Sequence, residues 1–177
     1  MKDKLLRMNQ DYTNRVRTLL DEMTKYDDEI LNRPAASGGW SVLQNMHHLI
    51  LSEEKSMDYV RKKLSFEGTH PKVGLKEDWR YFLLMAFLSL PIKFKAPPRI
   101  GGNPEDLPAV SSLAEVREKW LATRQKWEDF FQNMDADLAT RTVFKHVRAG
   151  KLGWKHMLKF YIFHFERHRQ QIYRTCL

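Results

Sequence analysis

Gly38-Gly39-Trp40-Ser41-Val42-Leu43-Gln44-Asn45-Met46-His47-His48-Leu49-Ile50 is the stretch that decides the fold. Two glycines close a loop, and Ser41 followed by Gln44 reads as a capping box. The serine hydroxyl can accept the Gln44 amide proton while the Gln44 side chain reaches back, so a helix starts here. Val42, Leu43, Met46, Leu49, Ile50, Met57 and Val60 then set an apolar face that predicts a helix continuing to about Phe66.

Upstream of this start, helical periodicity runs from about Asp3 to Leu31 and is ended by Pro34 and Ser37-Gly38-Gly39. Downstream, Gly68, Pro71 and Gly74 break the pattern. A shorter apolar helix is expected over roughly Asp78 to Leu90, before a loop running from Lys95 to Pro104. A second capping box, Ser112-Leu-Ala-Glu115, opens a third long helix that carries Leu113, Val116, Trp120, Trp127 and Phe131 to about Met134. A loop rich in Asp, Thr and Gly follows, and the last helix is expected from about Trp154 to Arg174. No series of short alternating stretches with hairpin signals is visible, so the expected fold is all-α. It is a four-helix bundle with a long crossover and a short extra helix between the second and third helices, occupying residues 1–177 as a single domain.

Composition agrees with one folded core. Hydrophobic residues make up 42% of the 177 positions, with aromatics at 12%, spread along the whole chain. The single cysteine, Cys176, can form no intramolecular disulfide, and the charged N-terminus lacks the apolar core of a signal peptide, so a cytoplasmic location is expected. The apolar run from Tyr81 to Ile92 is too short for the ~20 residues of a spanning helix. A buried or subunit-facing helix fits it better, and a homodimer through it is expected. Lys and Arg number 30 against 22 Asp and Glu, giving a net charge of +8. Acids are interleaved with the bases, as on a solvated mixed-charge surface, and no nucleic-acid recognition motif accompanies the charge.

The candidate chemistry lies in histidines. His164-Phe-Glu-Arg-His168 puts two imidazoles one helical turn apart, so both project from one side of the last helix and can meet one ion. Trp154, Leu158, Tyr161, Phe165 and Ile172 define the apolar face, with His168 inside it and His164 at its edge. A hydrogen-bonded pair of core histidines would show the same spacing. A catalytic metal site commonly uses three protein ligands, so a third donor is needed. His47-His48 is the other pair early on a long helix, and periodicity places His47 nearer the apolar face.

Gly38-Gly39-Trp40-Ser41-Val-Leu-Gln44-Asn-Met-His47-His48-Leu49, followed far downstream by His164-x-x-x-His168-x-x-Gln171-Ile172, resembles the DinB/YfiT superfamily. The resemblance implies a divalent metal held by His48, eight residues after Trp40, together with His164 and His168. His47 is kept in reserve on the periodicity. It implies also a metal-dependent thiol transferase or hydrolase acting on a small molecule, with a low-molecular-weight thiol as one substrate class. Zn, Ni, Fe, Cu and Mn all suit three imidazoles to some degree. No His-Glu-x-x-His helix, Gly-x-Ser-x-Gly elbow or phosphate-cradling glycine loop is present to choose the reaction.

Other residues carry weaker expectations. Gln171 is read as an interhelical hydrogen-bonding group before a partner that orients a ligand, and Glu53 as a carboxylate that snorkels or pairs with an arginine before a base. Trp40 is read as stapling the helix entry, His146 as loop structure and then as a wall of the site, and His70 and His156 as surface residues. The segments 67–77 and 95–108 are expected to roof the pocket. The competing function is a non-catalytic helical module for interaction or dimerisation, with structural histidines. Nucleic-acid binding ranks last.

Overall fold

A computed structural model describes residues 1–36, 38–66, 70–90 and 106–176. Six helices and one short hairpin account for most of these. They are α1 (Lys2–Met23), α2 (Asp28–Asn32), α3 (Val42–Leu64), α4 (Leu75–Leu88), α5 (Leu113–Asn133), β1 (Phe144–His146), β2 (Gly150–Leu152) and α6 (Trp154–Cys176). Both capping boxes form as the residue pattern requires. Ser41 Oγ accepts from Gln44 N at 3.2 Å and Ser41 N donates to Gln44 Oε1 at 3.1 Å; Ser112 and Glu115 repeat the arrangement at the start of α5.

Two expectations require correction. The predicted helix from Asp3 to Leu31 is broken at Thr24–Asp27, where Asp27 takes an extended conformation and starts the five-residue α2. The break lets α2 turn onto the N-terminus of α5. There Asp28 Oδ1 accepts from Leu113 N at 2.8 Å, and Asn32 brackets Ser111 with hydrogen bonds to both its N–H and its carbonyl. The second correction is a small antiparallel hairpin in the presumed loop before α6, pairing Phe144 with Leu152 and His146 with Gly150. Gly150 has φ 75, a left-handed value that glycine tolerates, and this allows the tight reversal. The fold is mostly helical with this one two-stranded sheet among the described residues.

α1 packs against α5 and α6, and α3 packs against the same two helices, while α4 lies on α6 and β2. Trp120, Trp127, Phe131, Tyr161 and Phe165 are fully or almost fully buried where the long helices meet. Each such side chain is worth about 1.5–3 kcal/mol of burial. Within this apolar core lies one ion pair, Arg124 Nη1 to Glu53 Oε2 at 2.5 Å, with both side chains 1% exposed. The other Glu53 oxygen accepts from Tyr12 Oη at 2.7 Å and Trp120 Nε1 at 2.9 Å. Arg124 also donates to Thr13 Oγ1 and to Asn9 Oδ1. Glu53 is therefore the arginine-paired carboxylate, and it ties α3 to α1 and α5. No helix among the described residues is long and apolar enough to cross a membrane.

Candidate metal centre

The first two turns of α3 and the middle of α6 face one another, and three imidazoles meet between them. His48 Nε2 lies 3.3 Å from His164 Nε2, and His168 Nε2 lies 3.1 Å from the same atom. The ligand atoms of His48, His164 and His168 all fall within 4.8 Å of one another, so the group could hold a metal ion. Three nitrogens on one ion at ~2.0–2.1 Å would be separated by roughly 2.8–3.4 Å, from facial octahedral to tetrahedral geometry. The two nitrogen separations fall in that range. His48 and His168 are buried, whereas His164 is half-buried and forms the edge of the cluster.

Asn45 fixes the chemistry of one ligand. Its amide nitrogen donates to Ser41 O at 2.9 Å, which turns its oxygen toward His168, where Oδ1 lies 3.0 Å from Nδ1. An amide oxygen can only accept, so Nδ1 of His168 carries the proton and the Nε2 lone pair faces the cluster. Burial, helped by the nearby His48 and Arg167, pushes the His168 imidazole down to about 3, while Gln171 acts weakly in the opposite direction. Burial also holds His164 well below the ordinary histidine value, with His168, His48, His146 and Arg167 adding to the effect. At neutral pH His164 and His168 are therefore neutral imidazoles, the form in which histidine can bind a metal. The three imidazoles, one of fixed tautomer and grouped with no carboxylate among the described residues, fit a divalent cation of borderline softness.

Aromatic rings frame the group. Trp40 sits with its ring 4.7 Å from His48 and 6.1 Å from His168, so it covers two of the imidazoles as well as preceding the helix cap. Phe160 stacks on His164 at 5.4 Å and an interplanar angle of 14°. His146, on β1, meets the same Phe160 ring at 4.6 Å. Its Nδ1 accepts from the amides of Arg148 and Ala149, and burial pushes it down to about 4.

His47 does not join the cluster. Its Nε2 lies 2.9 Å from Ser111 Oγ, at the approach to α5. His156, expected at the surface, is 4% exposed and bonds Asp78 at 2.8 Å while stacking on Tyr81, because α4 docks over the start of α6. His70 is half-buried, with its carbonyl accepting from Arg141. Glu166 points away and is held by Arg15 and Arg169. Of the segments expected to roof the site, residues 67–69 and 95–105 lie outside the described residues, as do Pro91 and Ile92 of the apolar run. Asn45 had no place among the expected site residues. Its signal was positional, one turn before His48 on the same helix.

A protein of paired long helices with three converging histidines defines a class, and comparison with protein families agrees with it. The sequence matches the family model of the DinB superfamily over residues 10–172, and the chain belongs to that superfamily. Comparison with curated proteins and with solved structures gave no match.

Proposed function

We propose that this chain is a metal-dependent enzyme acting on a small molecule, a thiol S-transferase or hydrolase, built as a four-helix bundle of α1, α3, α5 and α6 in one domain. The observation that carries the proposal is the convergence of His48, His164 and His168 on one point. A divalent ion held there by the three Nε2 atoms would supply a Lewis acid that lowers the pKa of a thiol or water reaching it.

The chain's own residues then have separable tasks. Asn45 keeps the His168 lone pair directed inward, and Trp40 and Phe160 exclude water from the faces of the imidazoles. The half-buried side of His164 is the side from which a small molecule approaches. In thiol transfer a sulfur–carbon bond would form as the S–H proton passes to solvent and the electrophile's carbon–leaving-group bond breaks, the leaving group departing with its electron pair; in hydrolysis water takes the place of the thiol. The single cysteine and the lack of a spanning helix among the described residues fit a cytoplasmic enzyme. The outward apolar face of α4, with Trp79 61% and Phe82 59% exposed, suits a homodimer.

The test is metal stoichiometry and affinity of untagged protein and of four single variants. His48→Ala, His164→Ala and His168→Ala each leave two ligands, and affinity should fall by well over the ~10–100-fold associated with losing a group that merely orients a ligand. His47→Ala should keep its metal. If none of the four substitutions changes binding, the metal reading is wrong; if His47→Ala alone empties the site, the ligand set is wrong.

A further inference from the structure

β1 lies against α3 and α6, the two helices that supply the three histidines, and Phe144 and His146 are its inward-facing residues. His146 is 7% exposed, and its ring meets Phe160, whose face stacks on His164. It is near enough to act electrostatically on the His164 imidazole. The hairpin turn settles its tautomer. Nδ1 accepts from the backbone N–H of Arg148 at 3.2 Å and of Ala149 at 3.4 Å, so the ring proton is on Nε2.

That N–H stands at the end of the ring away from the backbone, and it has no acceptor among the described residues. It is not one of the enclosed polar atoms, as the Trp127 indole nitrogen is, so a small molecule entering on the half-buried side of His164 can reach it. Phe144, the other inward residue of the strand, packs in the core against Tyr161. A polar ring in the matching position is costly to bury unless its donor is used. Burial holds the imidazole at about 4, so the ring is neutral and its donor is in place at neutral pH.

We infer that the His146 Nε2–H is a substrate-binding donor of the metal centre, and that the electrophile taken up there carries a carbonyl oxygen, as an ester or thioester does. The inference rests on the metal-site reading and specifies its substrate class. A fixed N–H of this kind stabilises an oxygen on which negative charge develops. When the thiol sulfur or a water oxygen bonds to the carbonyl carbon, the C=O π pair moves onto the oxygen, which accepts from Nε2–H without taking its proton. The proton of the attacking group passes to solvent. As the C=O reforms, the bond from carbon to the leaving group breaks, and that group departs with its electron pair.

The test measures calorimetrically the binding of acetohydroxamate, which has a carbonyl group, and of ethanethiol, which has no oxygen, to the full zinc-loaded chain. His146→Asn keeps an acceptor for the two turn amides and removes the donor at the Nε2 position; His146→Gln does the reverse. Acetohydroxamate should bind about three- to tenfold more weakly to His146→Asn and nearly as in wild type to His146→Gln, with zinc and ethanethiol affinities unchanged in both. In the wild-type protein the Nε2–H NMR signal of His146 should shift and become protected from solvent exchange when acetohydroxamate binds. Wild-type affinity in His146→Asn overturns the donor and leaves the metal centre standing, and a loss confined to His146→Gln does the same by assigning the ring to the turn alone. If both variants lose affinity, the wild-type signal decides: a shift with protection supports the donor, and an unchanged signal overturns it. A chain that retains no zinc overturns the metal reading and the donor with it.

Discussion

Asn45 and the two neighbouring histidines His47 and His48 show what a single side chain decides in this molecule. Residues 45–50 of α3 are all buried, so no one face of that helix points to the interior there. Helical periodicity consequently favoured His47, which in fact faces Ser111, and only the family resemblance favoured His48. The role of Asn45 was illegible for a different reason: an amide becomes an orienting group only through a partner 123 residues away. Asn45→Leu should lower metal affinity about 10–100-fold, whereas Asn45→Asp, which keeps an acceptor for the His168 Nδ1–H, should restore most of it. The tautomer of His168 in metal-free protein, read by 15N NMR, should lose its Nδ1–H preference in Asn45→Leu; an unchanged tautomer would count against the assignment. His146 offers a pH test. Burial holds it at about 4 in the folded chain against about 6.5 unfolded, so the unfolded state binds the proton first. Its contribution to stability is complete above about pH 6.5 and is lost as the pH falls toward 4, by at most ~1.4 kcal/mol per unit. His146→Asn retains an acceptor for the two turn amides and cannot titrate, so denaturant unfolding between those limits should show a shallower pH slope than wild type.

Helix starts were more legible than helix ends, because a cap is written in adjacent residues. Ser41 with Gln44 and Ser112 with Glu115 form the boxes their sequence implies, and α3 and α5 begin where expected. The break between α1 and α2 carries no glycine or proline. Its cause is Asp28 and Asn32 bonding the backbone entering α5, a contact between residues about 80 positions apart. The hairpin was missed because each strand has three residues, too few to display an alternation, although Gly150 marks its turn. At this scale the principal cross-link is Glu53 with Arg124. A buried ion pair of this kind is costly to break from one side, because the remaining charge stays out of water. Glu53→Leu or Arg124→Met alone should therefore lower unfolding free energy by about 3–5 kcal/mol, and the double variant should recover part of that loss. Urea unfolding of the three proteins gives the coupling, and additive losses would show that the pair does not act as a unit.

Over the whole molecule, the order of the long helices followed from apolar spacing, and the meeting of α3 with α6 brings His48 to His164 and His168 across more than a hundred residues. What spacing could not reveal is which apolar surface remains outside. α4 starts at Leu75 rather than Asp78, and Leu84 alone among its residues is buried. Leu75, Trp79, Phe82 and Leu83 recur at helical spacing and are 87%, 61%, 59% and 50% exposed, with Trp79 and Phe82 stacked at 5.5 Å. Scattered apolar residues on a surface require no explanation, but a stripe along one helix is costly to hydrate and marks an interaction face. Lys76 and Arg80 on the same helix supply polar flanks, as at the rim of a protein interface. A two-fold axis across this stripe would place each copy's aromatic pair against the other's, an arrangement that satisfies the same surface on both partners at once. Light scattering should accordingly find a homodimer at micromolar concentration, and Leu83→Glu, which sets two carboxylates against each other across the axis, should shift it to monomer with its helical content unchanged by circular dichroism. A wild-type protein that stays monomeric at every accessible concentration would remove the dimer, and would leave the α4 face to some other partner.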